Sequence, residues 1–104
     1  MSDYPVPDMA DVELVGVLRA VADPIRLAMV RVLAAGEAMP KGGAWRFDVQ
    51  KSTLSHHFRT LREAGLTETL VSGREHAVRL RRTELDERFP GLIAALVAGE
   101  EPRA

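Results

Sequence analysis

Residues 51–66, Lys-Ser-Thr-Leu-Ser-His-His-Phe-Arg-Thr-Leu-Arg-Glu-Ala-Gly-Leu, set hydroxyls, imidazoles and guanidiniums on a helical period. Read at 3.6 residues per turn, Leu54, Phe58 and Leu61 share one stripe, with His57 beside it. The opposite face carries Ser52, Thr53, Ser55, His56, Arg59 and Arg62, with Gln50 and Lys51 at the helix start. A face of this kind has no core to make. It suits the base edges and phosphates of a nucleic acid groove, where short donors and acceptors sit close and arginine reaches the backbone.

Other chemistry finds less material. There is no cysteine, hence no thiolate nucleophile, disulfide or thiolate metal site. No glycine-rich phosphate loop or spaced carboxylate pair marks an enzyme, and Ser55, His56 and His57 already belong to the helix above. Adjacent helical residues point about 100° apart, so His56 and His57 do not chelate one ion. His57 is expected to pack beside the core and His56 to face the groove. Neither metal nor cofactor is expected.

The helix at 51–64 must be held by neighbours. A first helix is expected from about Asp8 or Asp11 to Val21, with Val12, Leu14, Val15, Leu18 and Val21 as a broad apolar face. Asp23-Pro24 restarts the chain: aspartate caps free amides, and proline in the first helical position loses no needed hydrogen bond. The second helix should bury Ile25, Ala28, Met29, Val32 and Leu33 and stop at Gly36. Arg26 is open to two readings, a phosphate contact or an acidic partner. Pro40 and Gly42-Gly43 interrupt regular structure after residue 36, leaving a short helix from Trp45 to Val49 that buries Trp45 or Phe47.

Beyond Gly65, Leu70, Val78 and Leu80 alternate with polar residues around Ser72-Gly73-Arg74. This predicts a two-stranded hairpin over 67–82, with Gly73 at positive φ, Arg74 at the tip, and Arg79 and Arg81 on the polar face. Thr83-Glu-Leu-Asp86 reads as a capping-box variant. The last helix is interrupted at Pro90 and resumes through Leu92, Ile93, Leu96 and Val97, more apolar than a terminal helix requires. Apolar first and last helices predict a homodimer that buries Leu14, Leu18, Val21, Leu92, Ile93 and Leu96. The fold class is mainly α with a small β-hairpin. Residues 1–7 and 99–104 are expected to be a flexible arm and tail around a domain at 8–98.

Charge agrees with this division. Residues 41–82 hold nine basic and four acidic side chains, a net of +5, and the remainder carries −6. One face can thus steer phosphate although the chain totals −1. With no cysteine, no apolar run of membrane-spanning length and no signal-like start, a cytoplasmic protein is expected.

The order of elements, with Ala22-Asp-Pro-Ile-Arg26, Ser52-Thr-Leu-Ser-His-His-Phe-Arg-Thr-Leu-Arg-Glu-Ala-Gly-Leu66 and the Gly73-Arg74 turn, resembles the ArsR family of bacterial winged-helix transcriptional regulators over roughly residues 12–98. The resemblance implies a winged helix-turn-helix homodimer. Each protomer would place the 51–64 helix in a major groove of an operator in double-stranded DNA, with the 67–82 hairpin as wing along the backbone. It implies a repressor released by an effector, and leaves that effector unknown. It does not extend to the family's metal sites: the segment before the 51–64 helix is glycine-rich and cysteine-free, Gln50 stands where a serine cap is usual, and residues 83–104 contain no histidine. The alternative is a winged-helix protein-binding or dimerisation module without operator binding.

Overall fold

The computed structural model describes residues 4–36, 38–41 and 49–98. Its elements in chain order are a 3₁₀ turn (Met9–Asp11), α1 (Leu14–Val21), α2 (Pro24–Ala35), β1 (Met39–Pro40), α3 (Lys51–Glu63), β2 (Thr67–Ser72), β3 (Glu75–Leu80), α4 (Arg82–Arg88) and α5 (Leu92–Ala98). No helix among the described residues is long and apolar enough to cross a membrane.

The first helix divides in two, because the chain extends at Val12 and Glu13 before α1 begins. At α2 the local signals hold. The Asp23 carboxylate accepts from the amides of Ile25 at 2.8 Å and Arg26 at 3.1 Å, with Pro24 in the first turn. Gly36 ends the helix in extended rather than left-handed backbone. Met29, Val30 and Leu33 turn inward, whereas Val32 is exposed.

The sheet has three antiparallel strands in the order β1-β3-β2, one more than the hairpin expected. Met39 and Pro40 pair with Val78 and Ala77; proline is admissible there because β1 is an edge. The hairpin register runs from Thr67↔Leu80 to Ser72↔Glu75. Gly73, at φ +62, takes the backbone angle that a tight hairpin turn demands. Val78 and Leu80 face the core, but Leu70 is exposed.

α3 ends in a Schellman motif. The Leu66 amide donates to Leu61 O and the Gly65 amide to Arg62 O, both at 3.0 Å, with Gly65 at φ +95. Leu61 and Leu66 are both fully buried in the core cluster. Met29, Val17, Val30, Leu85 and Ile93 complete that core, so α3 and the sheet are seated on one hydrophobic body.

One further expectation changes. Thr83 lies inside α4, not at its cap; Asp86 instead accepts from Arg82, one turn away. Within the arm expected over 1–7, Pro7 O accepts from Arg81, and the Tyr4 hydroxyl is hydrogen-bonded to His76. The short helix expected around Trp45 and Phe47, like the tail at 99–104, falls outside the described residues.

Candidate nucleic-acid interface

α3 has a dry side and a wet side. His57, Phe58 and Leu61 are buried, with Leu54 half-buried. Ser52, Ser55, His56 and Arg59, spaced three and four residues apart, form an exposed row. Lys51 and Thr53 flank its start, and Gln50 caps the helix by backbone position without a side-chain cap bond. The His56 and His57 rings stand 6.0 Å apart, one exposed and one buried.

Arg74 is exposed at the wing tip. Arg79 is also exposed, but Glu68, its partner across the hairpin, accepts from its Nε at 3.0 Å and pairs with its guanidinium. The structure removes two arginines from the outward set. Arg81 is buried, donating from Nη1 to Pro7 O at 3.0 Å and Gly65 O at 3.4 Å. Strand alternation would place it beside Arg79, but β3 ends at Leu80 and Arg81 turns inward to begin α4. Arg62 is half-buried, with its guanidinium over the Tyr4 ring at 5.3 Å.

The apolar faces also divide. Leu14, Val15 and Leu18 are 44%, 57% and 45% exposed on α1. Val21 and Ile93, expected between protomers, are instead buried within the chain's own core, and Leu92 and Leu96 pack partly against it.

A polar contact that charge pairing does not foresee also links α3 to its neighbours. Arg26 donates from Nε to Ala20 O at 2.6 Å and from Nη1 to His57 Nδ1 at 3.0 Å, bracing α1 and α2 against α3. Arginine has no acceptor, so His57 Nδ1 must accept and the ring must be neutral. Burial lowers the His57 pKa, and the Arg26 charge lowers it further against the opposing pull of Asp23. Desolvation works against the Asp23 carboxylate, but the Arg26 and Ile25 amides outweigh it and lower its pKa.

With its folded pKa depressed, His57 binds protons more readily in the unfolded chain. Its contribution to stability is therefore complete above the ordinary imidazole value of 6.5 and is lost as pH falls through the lower folded value. Thermal melts from about pH 8 to about pH 5 should show a steeper loss for the wild type than for His57→Gln, which keeps an acceptor but does not titrate. Identical profiles would remove His57 as the sensitive group.

A helix-turn-helix domain family matches residues 21–69, covering α2, α3 and the start of the wing. The chain is 37% identical over 82 residues to the HTH-type transcriptional regulator YceK of Bacillus subtilis (strain 168), spanning 77% of this chain and 82% of that protein. It is 32% identical over 74 residues to the arsenical resistance operon repressor of Staphylococcus xylosus, 71% of each chain. Among solved structures it resembles an ArsR-like transcriptional regulator from Rhodococcus sp. RHA1, with a TM-score of 0.62 and 26% identity over 72% of this chain and 71% of that one. The chain belongs to the ArsR family of winged helix-turn-helix proteins: it is a DNA-binding transcriptional regulator and not an enzyme.

Proposed function

We propose that a homodimer of this chain represses transcription by seating α3 of each protomer in the major groove of an operator, with each wing tip against the backbone. The observation that carries this reading is the exposed row Ser52, Ser55, His56 and Arg59 backed by buried Phe58 and Leu61. A helix so divided presents a full set of short donors and acceptors while its other side anchors it to the body. The α1 face of Leu14, Val15 and Leu18 supports dimerisation. Repression follows the function named for the Staphylococcus xylosus relative.

The roles within the interface separate by experiment. Ser52, Thr53, Ser55 and His56 set sequence preference; Lys51, Arg59 and Arg74 contact phosphates. Binding is measured by fluorescence anisotropy on a duplex carrying the preferred site and on a scrambled duplex, across a salt series. His56→Ala should cost about 1–3 kcal/mol on the preferred site and little on the scrambled one. Equal losses on both would assign His56 to the backbone. Arg74→Ala should weaken both duplexes alike and reduce the salt slope by about one for each phosphate it no longer neutralises, about two for a dimer. Curves that overlay the wild type would sink the wing assignment.

A further inference from the structure

Between the wing and α3, three basic side chains converge on the ring of Tyr4. Lys41 Nζ lies 4.2 Å from its centroid and Arg62 Cζ 5.3 Å from it. His76 meets it edge-on at 5.4 Å, with Nδ1 2.6 Å from the Tyr4 hydroxyl. His76 shares the inward face of β3 with Val78 and Leu80, so the cluster sits under the wing, not on its outer surface. A cleft of about 450 Å³ opens beside it, lined by Pro40, Lys41, Arg74, Glu75 and His76.

This charge is not answered by a carboxylate among the described residues. The ion pairs there are Arg79–Glu68 and Arg82–Asp86, and neither includes Lys41, Arg62 or His76. Glu75, the carboxylate on the cleft, is exposed beside the turn and pairs with none of them. Arg62 Nε is buried without a hydrogen-bond partner among the described residues, a donor whose desolvation is uncompensated. Burial, and then the neighbouring Arg62 charge, lowers the Lys41 pKa. The Tyr4 ring attracts cations through its face, but a face gives Nε no lone pair in line with its N–H.

The geometry points to an oxyanion site at the wing root, at which Lys41, Arg62 and His76 bind a phosphate group. Three donors approaching from the residue after β1, from α3 and from β3 suit a tetrahedral, multiply charged group better than a planar carboxylate. Its oxygens supply the acceptor that Arg62 Nε lacks and neutralise the mutual repulsion of Lys41 and Arg62. The phosphate has two sources: a free phosphorylated or inorganic ligand, or the backbone of a DNA strand passing between α3 and the wing. Only the second source rests on the operator reading.

The probe is inorganic phosphate, titrated against chloride at constant ionic strength and pH into the isotope-labelled full chain without DNA. The His76 ring and the Arg62 Nε–H resonances should shift along a saturating curve while His56 drifts linearly. In Lys41→Gln and Arg62→Gln the His76 curve should lose its saturation. The wild-type titration alone decides the matter if either variant folds poorly: linear, non-saturating drift of His76 and Arg62 equal to that of His56 overturns the site. The source is then read from the salt dependence of duplex binding. A Lys41→Gln slope reduced by about one per protomer identifies a backbone phosphate, and an unchanged slope identifies a free ligand.

Discussion

Replacing Leu14 and Leu18 together with glutamate is expected to give a folded monomer whose affinity for a two-half-site operator falls by about 100- to 10,000-fold. The magnitude follows from losing the second, effectively intramolecular binding event. Leu14 and Leu18 are 44% and 45% exposed and stand outside the buried core of the protomer, so charge there costs the single chain little. In a dimer the same charges would be forced into an apolar contact of the size stable interfaces need, on the order of 1,600 Å². Position matters. Ile93 is 0% exposed, and Ile93→Glu would unfold the protomer rather than report on association. Sedimentation of the Leu14→Glu, Leu18→Glu chain at micromolar concentration reads the outcome, with circular dichroism to establish that it is folded. A variant that still sediments as a dimer would move the interface off α1.

Gly65→Ala should destabilise the protein by about 2–5 kcal/mol, more than alanine at any other described glycine. The left-handed backbone at Gly65 costs a side chain about 1–2 kcal/mol. A Cβ there would also overlap Val12 Cγ2 and come within 3.1 Å of Cγ1, and overpacking of that kind adds about 1–3 kcal/mol. Val12 is itself buried, and its carbonyl accepts from Arg88, so it cannot simply step aside. Gly73 supplies the comparison: it has positive φ but open space around the added carbon, so Gly73→Ala should cost only the conformational part, about 1–2 kcal/mol. Denaturant melts of the two variants measure the difference. Equal losses would mean that the approach of Val12 to the α3 turn relaxes at no cost.

The parts of this architecture legible in the sequence are those written locally. Asp23-Pro24 starts α2 by satisfying amides two and three residues away, and the period of Leu54, Phe58 and Leu61 gives both α3 and its outward face. Gly73 marks the wing turn because few other residues adopt its backbone angle. The remainder depends on distant partners. β1 is two residues long and exists only through its pairing with β3; Pro40, read locally, argues against any strand. Arg81 follows the parity of Arg79 along the chain, yet its partners are the carbonyls of Pro7 and Gly65. Local spacing leaves Arg26 open between a phosphate and an acidic group, and its guanidinium in fact meets a carbonyl and a neutral imidazole. Tyr4 carries no periodic signal at all. Its place is set by the wing and α3 closing on it, which is why the cluster of Lys41, Arg62 and His76 is visible only once the chain is folded.

The central claim, that the outward row of α3 reads sequence in a groove, is tested most directly by selecting bound duplexes from a random pool with the full chain at physiological salt. The expected product is an inverted repeat whose half-sites lie about one helical turn apart. It should be bound at least about a thousandfold more tightly than unselected DNA, with a preference that relaxes in His56→Ala at the positions the helix reads. A pool that yields no sequence over successive rounds, while the same chain still binds DNA, would contradict it.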